Sequence, residues 1–326
     1  MTFKGLLVSQ VNDEFKAEVT ELNESSLPDG DITIDVSYSS INYKDALSFS
    51  GNKGVTAEFP HVPGIDAAGV VRESSHSDFK PGDNVLVTGY DLGMNTWGGF
   101  SQTIRVPAHW VLPLPEGLTP YESMAFGTAG LTAGLCINKL LLNGLSPEQG
   151  PVIVSGASGG VGSIAVQILN KLGFEVTAVS RRASMTDFLK QLGATTVISQ
   201  DVLLEKNSKP MLKPVYAGAV DVAGGEVLEA IIKQLLPSGS VSCCGLVNSP
   251  KLSLSVFPFI LRGVNLLGVD SVEIDLQEKN KVWQKLAGEW KVLPKANTIG
   301  LDKLVSVLTD TLNGQSQGRY VLKHGD

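Results

Sequence analysis

The chain has 326 residues, 43% of them hydrophobic and 18% charged, enough for two domains with buried cores and unlike a disordered polymer. A formal net charge of −7 excludes general nucleic-acid binding, which needs a basic surface, but leaves room for a local phosphate pocket. The opening "MTFKGLLVSQVNDEF" soon turns polar, and "LSLSVFPFILRGVNLLGVD" is broken by Pro258 and Arg262, so no signal peptide and no membrane span are expected and a cytoplasmic setting is.

In chain order, the first region is β-rich. "GDITIDVSYSSINY" alternates apolar and polar residues as a half-buried strand does. "KPGDNVLVTGY" enters an apolar strand through a Pro-Gly-Asp turn, and "WGGFSQTIRVPAHWVLPLP" adds a strand bounded by proline. The pattern predicts a partly closed barrel over residues 1 to about 125.

From about residue 126, strand-like "PVIVS", "EVTAVS", "AVDVAG" and "GSVSCCG" alternate with helical "TDFLKQLGA" and "EVLEAIIKQLL". Such alternation predicts βαβ units on a parallel, doubly wound sheet, an α/β domain over 126–272. Beyond about residue 272 the chain becomes polar and helical, and the closing "GRYVLKHGD" is a short strand able to return to the first domain.

"PVIVSGASGGVGSIAVQILNKLG" carries the pattern Ala157-x-Gly159-x-x-Gly162 directly after an apolar strand. Ile164, Ala165, Ile168, Leu169 and Leu172 then recur at spacings of three and four, and Gly173 closes the helix. A turn of this kind lets backbone N–H groups approach a pyrophosphate at the positive end of a helix, and Gly162 lets helix and strand pack closely. The next strand ends in Ser180, Arg181 and Arg182, where a carboxylate would hold the ribose of NAD. A hydroxyl and two guanidiniums suit a 2′-phosphate instead, so NADPH is the expected cofactor; which arginine carries the phosphate stays open.

Cys136, Cys243 and Cys244 are too few for a disulfide framework and read as small buried hydrophobes. His61, His76, His109 and His324 are scattered without a metal-ligand spacing and read as surface or loop residues.

A β-rich domain followed by a nucleotide domain resembles the medium-chain dehydrogenase/reductase superfamily. "NYKDAL" with "GASGGVG" resembles its quinone-oxidoreductase branch. "SSINYKDALSFSG", "FPHVPGIDAAG", "NTWGGFSQ", "GTAGLTA", "FPFILRGVNLLGVDS" and "GQSQGRYVL" together resemble the YhdH/AcuI group of NADPH-dependent acrylyl-CoA reductases. The resemblance implies a GroES-like domain over 1–125, completed by 273–326, and a Rossmann NADPH-binding domain over 126–272. Zinc-dependent members carry a Cys ligand and a Gly-His-Glu segment; here Ile65 and Asp66 stand at the His and Glu positions and no Cys precedes residue 136, so no metal is expected.

The activity implied is NADPH-dependent reduction of the C=C bond of an α,β-unsaturated thioester, acryloyl-CoA to propanoyl-CoA. The alternatives are reduction of a quinone or general enone, and a non-enzymatic NADPH-binding protein. In a metal-free site, hydrogen-bond donors must meet the carbonyl oxygen as charge builds on it. By resemblance Asn42, Tyr43 and Thr128 stand against the nicotinamide. The Tyr43 hydroxyl donates to the enolate or to the cofactor, or Tyr43 is a core aromatic, and Thr128 equally starts a helix. Asp45 either orients Lys44 or a ribose hydroxyl, or caps the helix of "DALSFSG". Further cofactor contacts map to Ser158, Gly159, Gly160, Val161 and Gly162 on the turn, to Ser180, Arg181 and Arg182, and to Leu246, Ile260, Ser271 and Asn313; Leu246 and Ile260 equally suit a core. A small-molecule substrate and a homodimer complete the expectation.

Overall fold

Alternating apolar residues build the first strands, β1 (Thr2–Val11) and β2 (Glu14–Asn23), into an antiparallel hairpin, and β3 (Ile32–Ser40) buries Ile32, Ile34 and Val36 on one face. The computed structural model describes residues 1–326 apart from Asp13, Lys206, Gln317 and Asp326, so Gln317 of the closing motif lies outside the described residues. The chain divides into two units. The first holds Met1–Thr128, Val272–Ala287 and Leu293–Asp326; the second holds Ala129–Ser271 and Gly288–Val292.

After β3 the first unit continues with helix α1 (Tyr43–Phe49), β4 (Asp66–Ser74), β5 (Asn84–Thr88), β6 (Thr103–Val106) and β7 (Val111–Pro113). Helix α2 (Pro120–Leu142) follows, its first residues in this unit and its remainder in the second. By length and composition it is the one helix among the described residues able to cross a bilayer, but 72% of its most apolar window is buried inside the protein and Gly127 (φ 52°, ψ −158°) breaks it. It is an interior helix.

In the second unit, β8 (Val152–Val154) leads into α3 (Gly160–Lys171), then β9 (Val176–Ser180), α4 (Thr186–Gln191), β10 (Thr196–Ser199), α5 (Gln200–Leu204) and β11 (Tyr216–Asp221). Helix α6 (Gly225–Lys233), β12 (Leu235–Cys243), α7 (Phe257–Arg262) and β13 (Asn265–Gly268) complete it. The expected helix "EVLEAIIKQLL" therefore ends early. Its two final leucines open β12, and Pro237, which has no N–H to continue a helix, follows them.

All pairs in this sheet are parallel, in the order β10-β9-β8-β11-β12-β13, and the strand order reverses between β8 and β11. On α6, Val227, Leu228, Ile231 and Ile232 share one face and pack with Ala219 and Val241 of the sheet.

The chain then returns to the first unit with α8 (Leu276–Ala287), β14 (Ala296–Ile299), α9 (Leu301–Leu312) and β15 (Arg319–Lys323). Its larger sheet runs β14-β15-β3-β4-β5-β7, with β6 also on β3. The final strand pairs antiparallel with the end of β3, Val321 opposite Ser40, and this brings Arg319 beside the segment that follows β3. Leu304, Val307 and Leu308 of α9 share a core with Phe3, Leu6 and Phe100.

Candidate functional site

In the first unit a polar cluster forms where β3 ends and α1 begins. Asn42 is the N-cap of α1, with extended backbone (φ −126°, ψ 162°). Asp45 is fully buried, and its two carboxylate oxygens accept the N–H groups of Asn42 (2.7 Å) and Ile65 (2.8 Å). The helix starts two residues before the expected cap: Asn42 is the N-cap, and Asp45 sits at N3 inside α1, its carboxylate reaching back to the Asn42 N–H, while Lys44 turns to the sulfur of Met94. Burial, then the nearby Asp66 charge, pushes the Asp45 carboxyl up to about 7, while the N–H donors pull the other way.

Asp66, at the start of β4, is the hub. Its Oδ2 accepts from the Ser40 hydroxyl, from Asn42 Nδ2 (2.9 Å) and from the Thr128 N–H (2.8 Å); its Oδ1 accepts from the Thr128 hydroxyl at 2.5 Å. Arg319 supplies the cation. Its guanidinium is buried and donates to the carbonyls of Ala125 (3.1 Å), Ile41 (3.3 Å) and Phe126 (3.2 Å) and to Asn42 Oδ1 (3.2 Å). Burial lowers its pKa, and the charges of Asp66 and Asp45 oppose that. A side chain at Gly127 would break the cluster: a Cβ there would lie 2.4 Å from the Ser40 hydroxyl oxygen and 2.7 Å from Asp66 Oδ2.

This donor set does not suit a metal ion. Both Asp66 oxygens are already occupied, and among the described residues no three His, Cys, Asp or Glu side chains gather as ligands. Two of the histidines read as surface or loop residues are not on the surface: His61 is buried, and His324, which follows β15, is buried with Nε2 2.8 Å from the Gly99 carbonyl. Burial pushes His324 down to about 4.

Asn42, Asp45 and Thr128 thus meet in one network: the Asn42 amide and the Thr128 hydroxyl donate to Asp66, and Asp45 accepts the Asn42 N–H. Asn42 Nδ2 donates to both Ser40 Oγ (2.9 Å) and Asp66. Tyr43 stands apart. At 53% exposure it is no core aromatic, and its hydroxyl has no partner among the described residues. Asn313 is the C-cap of α9 and is exposed.

In the second unit the glycine turn lies between β8 and α3. Gly156 has φ +55°, and the Ala157 N–H bonds back to Val179 on β9 (3.1 Å). A Cβ on Gly162 would lie 2.4 Å from the Gly156 carbonyl oxygen, so helix and turn approach as only glycine permits. Gly159 is the N-cap of α3, with no side-chain cap on the first turn. Ser158, Gly160 and Val161 are half-buried around it. A helix start left uncapped by side chains, behind a close-packed glycine, fits a pyrophosphate.

Ser180, at the end of β9, is buried; its hydroxyl accepts the Arg182 N–H (3.2 Å) and donates to the Arg182 carbonyl (3.2 Å), which fixes the turn that presents exposed Arg181 and half-buried Arg182. At the strand-order reversal, the Ser155 hydroxyl donates to Asp221 Oδ1 (2.6 Å) and accepts the Val222 N–H (2.9 Å), joining the ends of β8 and β11. Ser271 accepts from the Thr132 hydroxyl (2.8 Å). Leu246 and Ile260 are not core residues, at 64% and 68% exposed.

Sequence reasoning did not single out Ser40, Arg319, Ser155 or Asp221 as site-building residues. For Asp66 there was a signal, an acid between apolar residues at the start of "DAAGVV".

Comparison with known proteins agrees with this arrangement. Residues 28–116 match the alcohol dehydrogenase GroES-like domain family and residues 160–288 the zinc-binding dehydrogenase family. The chain is 42% identical over 325 residues to acrylyl-CoA reductase AcuI of Ruegeria pomeroyi, covering 98% of each chain. It superposes on the yhdH oxidoreductase of Salmonella enterica in complex with NADP with a TM-score of 0.95, at 41% identity, covering 100% of both. The putative quinone oxidoreductase YhfP of Bacillus subtilis is 39% identical over 98% of each chain, and its structure with NAD bound gives a TM-score of 0.97 over 99% of this chain and 100% of that one.

Proposed function

This chain belongs to the YhdH/AcuI group of the medium-chain dehydrogenase/reductase superfamily, and from that premise we propose that it reduces the C=C bond of an α,β-unsaturated thioester, acryloyl-CoA foremost, at the expense of NADPH. The first unit is the catalytic domain and the second the NADPH-binding domain. Residues of the glycine turn (Ser158 to Gly162) would hold the pyrophosphate, and Ser180, Arg181 and Arg182 the 2′-phosphate, with Leu246, Ile260, Ser271 and Asn313 serving the nicotinamide end. Bound there, the reduced nicotinamide supplies the hydride.

One observation carries the assignment of roles. Of the four side chains expected at the reaction, only the Tyr43 hydroxyl is exposed and uncommitted. Tyr43 is therefore the donor to the thioester oxygen as negative charge develops on it. Asn42, Asp45 and Thr128 are positioning residues: with Asp66 and Arg319 they lock the corner from which Tyr43 projects. Preorganisation of this kind is what a site without a Lewis acid requires.

The test is NADPH oxidation with acryloyl-CoA, crotonyl-CoA and a simple quinone side by side. Strong preference for acryloyl-CoA is expected. A preference for the quinone would favour the second reading, suggested by the likeness to the Bacillus protein, and NADPH binding without oxidation would favour the non-enzymatic one. The NAD in that Bacillus structure makes an NADH control part of the same assay. A cytoplasmic setting belongs to the same proposal.

The unit-2 sheet ends in β13, whose outer edge is unpaired among the described residues, and Leu266 on it and Leu261 on α7 are exposed. We propose that two copies pair along this edge, since a bare apolar edge strand is otherwise an aggregation hazard. A monomeric mass by light scattering would refute it.

A further inference from the structure

Lys44 follows Tyr43 in the first turn of α1 and is half-buried, yet the side-chain atom its ammonium meets is the Sδ of Met94, at 3.9 Å. No carboxylate lies within 4.0 Å of its Nζ among the described residues. A thioether is a weak acceptor, and a charge partly removed from water is stable only beside an anion or strong acceptors.

A second cation is joined to the segment that Lys44 meets. Met94 is followed by Asn95, whose Oδ1 accepts the Ala57 N–H (3.1 Å), and the Ala57 carbonyl accepts from the Lys53 ammonium (3.0 Å). Lys53 also stands 4.8 Å from the centroid of the Phe59 ring and likewise has no carboxylate within 4.0 Å. Lys44, the residue after Tyr43, is thus linked to Lys53 through Met94, Asn95 and Ala57, on a protein whose net charge is −7.

A coenzyme A thioester is a polyanion. It is repelled by the protein as a whole and bound only where local cations reverse the field. A quinone or simple enone makes no such demand. We propose that Lys44, seconded by Lys53, recognises the phosphate groups of the thioester's coenzyme A portion, and so selects a phosphate-bearing acyl carrier over an acceptor with the same reacting end. The proposal rests on the reading of the protein as an enoyl-thioester reductase.

NADPH carries phosphates too, so the experiment separates the two sources. Wild type, Lys44→Ala, Lys44→Glu and Lys53→Ala are assayed with acryloyl-CoA and with S-acryloyl-N-acetylcysteamine, the same thioester without phosphate, and the KM for NADPH is measured in each. The expected result is a KM for acryloyl-CoA raised about tenfold by Lys44→Ala, more by Lys44→Glu and less by Lys53→Ala, with a loss on the phosphate-free thioester below about twofold.

Equal losses on both thioesters would overturn the proposal, placing Lys44 at the reacting end. A raised KM for NADPH alone would assign Lys44 to the cofactor, and an unmoved KM for acryloyl-CoA would remove it from recognition. A wild type that turns over neither thioester defeats the functional reading itself. A wild type active on both, with Lys44→Glu indifferent to the phosphates, defeats this inference alone.

Discussion

In the first unit the candidate site is made of side chains drawn from distant segments: Ser40, Asn42 and Asp45 beside β3, Asp66 on β4, Thr128 past the break in α2, and Arg319 on the last strand. In the second, the glycine turn is made of backbone, a run of consecutive residues in which a Cβ at Gly162 would clash and no side chain caps the start of α3. The contrast teaches that the two should fail differently. Loss of a charged side chain in the first unit leaves buried groups unpaired and threatens the fold, whereas an added side chain in the second perturbs packing and ligand affinity.

The severest test is Arg319→Met. It strands Asp45 and Asp66 in the interior, and urea unfolding should show a loss of about 3–5 kcal/mol. A loss under about 1 kcal/mol would mean that the carbonyls and carboxylates are satisfied some other way.

Titration sharpens the same side of the comparison. The neutral form of His324 is favoured on folding, so it lends stability above pH 6.5 that is lost as pH falls toward its folded value of about 4. Asp45, raised to about 7, runs the other way: its contribution is full below about pH 4 and is lost as pH rises through 7. The two oppose each other over the shared window. His324→Gln removes one of them, so wild type should gain about 3 kcal/mol on the variant between pH 4 and 6.5 in paired denaturant melts. A pH-independent difference would place the histidine in a wetter site.

In the second unit Gly162→Ala forces a methyl group against the Gly156 carbonyl. A stability cost of about 1–3 kcal/mol and weakened NADPH binding by fluorescence titration are expected. Unchanged affinity would detach the turn from the cofactor. The mildest change is Arg182→Ala, which should shift the NADPH-to-NADH ratio of kcat/KM about tenfold toward NADH while leaving the melting curve in place. If Arg181→Ala shifts the ratio and Arg182→Ala does not, the phosphate belongs to Arg181.

The contrast also explains what the sequence disclosed. The strand, turn and helix from Pro151 to Gly173 are contiguous, so spacing alone exposes them, and the strand at Ile32–Ser40 shows in its alternation. The acid cluster escaped because its members are far apart in the chain; Arg319 and Asn42 are separated by 277 positions and meet only because β15 pairs with β3. His61 and His324 look like loop residues in sequence, and burial by distant segments is invisible there. The helix expected through Leu236 failed where local preference yielded to the sheet, since Leu235 is needed in the core beside Val241.

The break at Gly127 decides what two backbone carbonyls bind. An uninterrupted helix would have consumed the oxygens of Ala125 and Phe126 on amides four residues ahead. Turned aside by a left-handed glycine, the peptide chain keeps both oxygens for the guanidinium of Arg319 and hydrates that cation with its own amides. Such a shell is shaped for a flat, forked group; the single point of an ammonium would leave part of it empty.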